Sequence, residues 1–326
     1  MAAKYKVLVT DYVWPSLAPE RGVLEPIGAE LVAAPTADAE TLAGLAGDAD
    51  AILTCFAKVP RGVIEAATKC RIIARYGIGV DNIDLAAATE RGIVVTNVPA
   101  YCTDEVSDHA MALILALGRK LMSYDRAIRC GRWDVQVGKP IARIRGRTLG
   151  VVGLGRIGSA VAAKAKAFGM NVLAYDPYLP AEQVRERGAE PVDFPTLLRE
   201  SDFITVHAPL STNDGTAGMF SDAEFRAMKR SAFLINTARG GIVDDKALNR
   251  ALREGIIAGA GIDVLPTEPP PADSPLLALD NLILTPHAAF YSEESLIDLQ
   301  VQAAQEVARV LTGQPPVSVV NPQVLS

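Results

Sequence analysis

Thr148-Leu149-Gly150-Val151-Val152-Gly153-Leu154-Gly155-Arg156-Ile157-Gly158 reads as an apolar strand followed at once by a glycine-rich turn, with an Ala-rich helical stretch running on to Phe168. A bare GxGxxG is weak evidence, but between a strand and a helix each glycine has a task. Gly153 permits the tight turn, Gly155 lets backbone approach a pyrophosphate, and Gly158 lets the helix pack on the strand. The helix start then offers open N–H groups and a partial positive charge to phosphate. The next strand, Asn171 to Tyr175, ends in Asp176, 21 positions beyond Gly155, where a carboxylate accepts from ribose hydroxyls and repels a 2′-phosphate. The unit predicts a dinucleotide cofactor, NAD rather than NADP.

Outward from this unit, short apolar strands keep alternating with helical stretches. Strands are expected at Thr148 to Val152, Asn171 to Tyr175, Phe203 to His207, Phe233 to Asn236, Gly259 to Asp263 and Leu282 to Leu284, six in a doubly wound sheet. A second, smaller layer precedes it, with strands at Val7 to Val9, Glu30 to Ala33, Ala51 to Cys55, Ile72 to Tyr76 and Val94 to Thr96. Asn97-Val98-Pro99-Ala100 breaks the alternation and reads as a hinge. Thr103 or Asp104 is expected to cap a long apolar-striped helix through Leu121. A last helix, about Glu293 to Leu311, leads into the Pro-rich stretch Gln314 to Pro322, and a return of the chain here makes the first domain discontinuous.

At 326 residues the chain exceeds the size of one core, so two domains are expected. The 49% apolar, 6% aromatic and 21% charged fractions are those of a globular protein. A formal net charge of -6 and a pI near 5.3 give no reason to approach nucleic acid or an anionic membrane. Cys55, Cys70, Cys102 and Cys130 form no CxxC pair and have no neighbouring His, so no metal is expected and the thiols read as reduced. Met1 to Lys6 passes straight into a strand without an apolar leader, and the run Ala110 to Leu117 falls short of the roughly 20 residues a membrane helix needs. A cytoplasmic location is the expectation.

Three histidines make the search for an acid/base group short. His287, in Thr285-Pro286-His287-Ala288-Ala289, lies just past a strand end, where open α/β sheets bind ligands. His207 also ends a strand and reads as lining the nicotinamide side or as packing; His109 sits inside a helix and reads as structural. Arg239 in Asn236-Thr237-Ala238-Arg239-Gly240-Gly241 and Glu268 in Asp263-Val264-Leu265-Pro266-Thr267-Glu268 follow two further strands. Singly each is more often a surface charge. Together with a cofactor loop they offer an anion clamp, a partner for the imidazole and the proton carrier.

Gly153 to Gly158, Asn236 to Gly241, Asp263 to Glu268 and Pro286-His287-Ala288-Ala289 together resemble the D-isomer-specific 2-hydroxyacid dehydrogenase family along nearly the whole chain. Ile144-Arg145-Gly146 through Tyr175-Asp176-Pro177-Tyr178-Leu179, and Pro286 to Glu293, look most like its C-terminal-binding-protein branch, although the animal members of that branch have Trp where Phe290 stands and a long C-terminal tail. The resemblance implies a doubly wound Rossmann cofactor domain over residues 99–298. It also implies a smaller flavodoxin-like α/β substrate domain from 1–98 and 299–326, and a homodimer built through the cofactor domains. It makes Arg239, Glu268 and His287 the catalytic set. Cofactor contacts fall to Ile78, Gly153, Leu154, Gly155, Arg156, Ile157, Gly158, Asp176, His207, Ala208, Pro209, Thr212, Thr237, Ala238, Asp263, His287 and Ala289. Substrate contacts fall to Phe56, Ile78, Gly79, Arg239 and Phe290, with the Ile78 and Gly79 amides on the substrate carboxylate.

The activity so implied is hydride transfer between NAD(H) and C2 of a small D-2-hydroxy or 2-oxo acid. His287 as imidazolium gives the proton, Glu268 orients it, and Arg239 holds the carboxylate and polarises the carbonyl. Glyoxylate, hydroxypyruvate or an apolar 2-oxo acid suits a pocket bounded by Phe56 to Lys58, Tyr101 and Phe290. A phosphorylated substrate such as 3-phosphoglycerate calls for more than the single cation Lys58. The same cleft could serve an NAD(H)-sensing binding protein, but sensing does not need all three polar residues. A formate- or phosphite-type dehydrogenase would also share the scaffold, and the formate type has Gln where Glu268 stands.

Overall fold

The computed structural model describes residues 3–211 and 215–325, and the chain divides into two compact units, residues 1–101 with 292–326 and residues 102–291. In the first unit, β1 (Tyr5–Val9), β2 (Ala29–Ala33), β3 (Ala51–Thr54), β4 (Ile72–Arg75) and β5 (Val94–Thr96) form one parallel sheet in the order β2-β1-β3-β4-β5. The order reverses between β1 and β3, as in flavodoxin-like sheets. All four residues of β3 are buried, which is why Ala51 to Thr54 reads as a continuous apolar run rather than an alternating one.

The helix Glu293–Leu311 belongs to this first unit. Ser292 starts it, accepting from the Ser295 amide at 2.9 Å while Ser295 Oγ accepts from the Ser292 amide. Its buried face is Leu296, Leu299, Ala303, Ala304, Val307 and Leu311, the three-and-four spacing of one helical stripe. Beyond it, Asn321 accepts from the Val95 amide at 2.7 Å and donates to the Ile93 carbonyl at 2.9 Å, and Val319 bridges Thr96. Residues from both stretches of the chain therefore complete one sheet edge.

Among the described residues the second unit holds seven parallel strands: β6 (Thr148–Val152), β7 (Asn171–Tyr175), β8 (Glu190–Pro191), β9 (Phe203–Val206), β10 (Phe233–Asn236), β11 (Gly259–Ile262) and β12 (Leu282–Leu284). Their order is β12-β11-β10-β9-β6-β7-β8, the doubly wound arrangement with its switch between β6 and β9. Six of the seven match the sequence expectation. The seventh, β8, has two residues and ends in Pro191, which gives no periodicity to read and suits only an edge.

The long helix differs from expectation in two ways. It spans Thr103–Gly118 with Cys102 before it and no side-chain cap, so neither Thr103 nor Asp104 caps it; the Thr103 and Asp104 carbonyls accept from Ser107 Oγ instead. It also stops short of Leu121, because Lys120 takes a left-handed conformation (φ 56°) and a separate helix, Leu121–Arg129, follows. No described helix is long and apolar enough to cross a membrane.

Candidate active site

The glycine turn lies at the switch point of the second sheet. Gly153 has φ 86°, and a Cβ there would come within 2.8 Å of the Ala208 amide, so the turn after β6 is pressed against the chain leaving β9. A Cβ on Gly158 would sit 2.1 Å from the Gly153 carbonyl oxygen, whereas one on Gly155 would meet nothing within 4 Å. Two glycines are required by packing and the third borders open space. The helix Arg156–Ala167 begins here without a side-chain cap, and the amides of Gly155, Arg156 and Ile157 have no acceptor among the described residues.

Asp176 closes the loop from the other side. Its carboxylate accepts from the Leu154 amide at 2.9 Å and the Tyr178 amide at 3.0 Å, fixing an acceptor at the end of β7. Thr237, 8% exposed, buries a hydroxyl with no partner among the described residues. An orphaned hydroxyl, an uncapped helix start and an open glycine suit a dinucleotide, whose phosphates and polar groups would supply the missing partners. Ala208 and Pro209 follow β9, and the Pro209 carbonyl accepts from Thr216; Thr212 lies outside the described residues. Burial pushes His207 down to about 3, so its ring is neutral near pH 7, with Nε2 2.9 Å from Thr205 Oγ1.

Three loops at the carboxyl ends of β10, β11 and β12 carry the candidate residues Arg239, Glu268 and His287. The fully buried Asn236 closes the first, accepting from the Ala238 amide at 3.0 Å and donating to the Arg239 carbonyl at 2.9 Å. Gly240 then packs so closely that a Cβ would lie 2.0 Å from the Leu265 carbonyl carbon, which brings the loop bearing Arg239 onto the loop bearing Glu268. Glu268 Oε1 accepts from the Leu265 amide at 2.8 Å, and its Oε2 lies 2.8 Å from His287 Nδ1. Burial raises the Glu268 carboxyl, but the His287 and Leu265 hydrogen bonds and the Arg239 charge outweigh it and hold the group below the usual carboxylate range. The carboxylate is thus ionised and aimed at the imidazole.

His287 itself has φ 52°, a conformation uncommon outside glycine, and its amide donates to the Asp263 and Thr285 carbonyls. The Phe290 ring stands edge-on to it at 6.1 Å. What holds this loop is Asp263, 2% exposed: it accepts from Thr285 Oγ1 at 2.6 Å, the Ala288 amide at 2.9 Å and the Ala289 amide at 3.0 Å. His109 joins through Thr285 Oγ1 at 3.0 Å. Sequence reading assigned Asp263 to the cofactor and His109 to packing, and did not single out Thr285. The link joins positions 109, 263 and 285, so no local pattern signals it.

In the first unit, the Ile78 carbonyl accepts from Asn97 Nδ2 at 2.7 Å, while the Ile78 and Gly79 amides have no acceptor among the described residues. The Phe56 loop is pinned by Asp11, whose carboxylate accepts from the amides of Cys55, Phe56 and Ala57 at 2.9, 2.7 and 3.0 Å. Asn82 holds the same loop by donating to the Cys55 and Ala57 carbonyls. Asp11 was not singled out from sequence. Its signal was its place two residues past the end of β1. Cys55, Cys70 and Cys102 are buried and Cys130 is exposed, and the described residues contain no metal-binding cluster.

A dinucleotide turn at the switch of a doubly wound sheet, with an ionised glutamate on an imidazole past the same strand ends, defines an NAD-dependent oxidoreductase. Residues 111–289 match the NAD binding domain of the D-isomer specific 2-hydroxyacid dehydrogenases. A glyoxylate reductase of Korarchaeum cryptofilum is 44% identical over 283 residues, 85% of this chain and 84% of the relative. A D-3-phosphoglycerate dehydrogenase of Archaeoglobus fulgidus is 45% identical over 264 residues, 81% of this chain but 50% of that protein. The structure of an NADPH-dependent glyoxylate/hydroxypyruvate reductase of Sinorhizobium meliloti, in complex with NADP and malonate, is similar at a TM-score of 0.86 and 30% identity, covering 98% of both chains. The chain belongs to the D-isomer specific 2-hydroxyacid dehydrogenase family.

Proposed function

We propose that this dehydrogenase interconverts a small unphosphorylated 2-oxo acid, of the glyoxylate or hydroxypyruvate kind, and its 2-hydroxy acid, using NAD(H). The observation that carries the reading is the 2.8 Å pairing of Glu268 with His287 in loops packed against the one bearing Arg239. Bound NADH supplies the hydride to C2. With Nδ1 committed to Glu268, His287 Nε2 carries the proton to the carbonyl oxygen, and Arg239 faces the developing negative charge. The Ile78 and Gly79 amides take the substrate carboxylate. The loop bearing Phe56 offers one exposed cation, Lys58, too few for a phosphorylated substrate. Exposed apolar side chains at Leu121, Met122, Ile128, Trp133 and Val135 support a homodimer through the cofactor unit, and a cytoplasmic location accompanies the reading.

The test is NADH oxidation with glyoxylate, hydroxypyruvate and 3-phosphohydroxypyruvate in turn. The expected kcat/KM is at least about tenfold higher for an unphosphorylated acid, since a site short of cations loses the strongest phosphate contacts. Preference for the phosphorylated acid overturns the substrate reading, and inactivity on all three favours an NAD(H) sensor. NADPH should be the poorer cofactor, and Asp176→Ser should narrow the gap by removing the carboxylate that repels a 2′-phosphate. An unchanged ratio counts against that role.

Glu268→Gln is expected to move the alkaline limb of the reduction profile to lower pH. Reduction needs the imidazolium, so activity is present on the acid side and lost as pH rises. A neutral amide stabilises the imidazolium less, and the loss comes earlier. Superimposable kcat profiles for the two proteins would remove Glu268 from this role.

A further inference from the structure

At the amino ends of the second unit's strands, the edge opposite Arg239 and His287, a cavity of about 700 Å³ opens around Arg147, Asp202, Phe203, Phe233 and Ala258. That volume lies in the range of small-molecule sites, roughly 300–1,000 Å³. Part of the lining is apolar: Ile141, Ile144 and Ile257 surround the Phe203 and Phe233 rings, which stack at 5.2 Å with 17° between planes. The charges in the lining are unbalanced. Lys120, Arg143, Arg147 and Arg230 face a single acid, Asp202.

Asp202 is already occupied. It accepts from the Thr148 amide at 2.9 Å, Arg147 Nη1 at 3.4 Å and Lys229 Nζ at 3.3 Å. Arg230 donates to the Gly255 carbonyl at 3.1 Å. Lys120 and Arg143 have no carboxylate within ion-pair distance among the described residues. Lys120 is held in the left-handed conformation, half-buried, with its ammonium 4.8 Å from the centre of the Phe233 ring. Withdrawing an ammonium from water without a counter-ion is costly, and here burial lowers its pKa. The residue is placed where an anion lying against the stacked rings would complete it.

We propose that this cavity is a second ligand site, for a small organic anion with an aromatic body and a carboxylate head. The body lies against Phe203 and Phe233 and the carboxylate is held by Lys120 and Arg143. The site is separate from the catalytic edge: β10 and β11, four residues each, lie between, about 13 Å at the usual strand rise.

Calorimetric titration of the whole protein with 2-naphthoate, in saturating NADH to fill the cofactor loop, tests this, with neutral 2-naphthamide as the control. One saturable site per chain is expected for naphthoate, with at least tenfold weaker binding of the amide. Lys120→Met and Arg143→Ala should each weaken naphthoate at least tenfold and leave the amide unchanged. Arg143 is exposed, so its variant is expected to fold and melt as the parent does. Three results would each overturn the proposal: no saturable naphthoate binding, as when a second copy of the chain covers the cavity; equal binding of acid and amide; or unchanged affinity in both variants.

Discussion

Replacing His287 by Asn is expected to lower the turnover of 2-oxo acid reduction about 10²- to 10⁴-fold, the range general acid/base catalysis supplies. Asn is chosen over Ala because residue 287 sits at φ 52°, a conformation Asn tolerates and Ala does not. The backbone stays in place and the proposed proton carrier is lost. The thermal midpoint should stay close to the parent value, and NADH, followed by fluorescence titration, should still bind. A turnover within tenfold of the parent would mean that the proton comes from elsewhere.

Asp263→Ala produces the largest expected loss of stability. It removes the acceptor for three donors, Thr285 Oγ1 and the amides of Ala288 and Ala289, and Ala289 is 4% exposed. A buried donor left without a partner costs about 1–3 kcal/mol. Three such losses, partly relieved by water, come to about 3 kcal/mol, or roughly 6–12 °C in the midpoint of a unit this size. Turnover should fall as well, since the same carboxylate fixes the loop that carries His287. Asp263→Asn, which keeps one acceptor oxygen, should fall between. A midpoint shift below about 2 °C in Asp263→Ala would show that the loop is held by other contacts.

These two variants separate what was readable in the sequence from what was not. Gly153 to Asp176 is local: strand, turn, helix and next strand follow one another, so spacing alone carries the argument. Arg239, Glu268 and His287 were legible as candidates because each lies within a few residues of a strand end and because histidine is scarce in this chain. The scaffold beneath them was not. The tie from Asp263 to residues 285–289, the contact of His109 with Thr285, and the grip of Asp11 on residues 55–57 all join positions distant in sequence. The break at Lys120 escaped for another reason: apolar spacing continues through it, and a non-glycine residue in a left-handed turn has no compositional mark.

The return of the chain to the first unit bears on how the protein is made. Helix Glu293–Leu311 and the residues around Asn321 complete the sheet of residues 1–101, yet all of residues 102–291 are translated between them. At about 5–20 residues per second that interval is roughly ten to forty seconds. During it the β5 edge, with the Val95 amide and the Ile93 carbonyl still waiting for Asn321, stands open on the ribosome. The second unit is continuous, so nothing it needs for its own sheet is still to be translated once residue 291 has been added. The half of the protein synthesised first is therefore the half that finishes last.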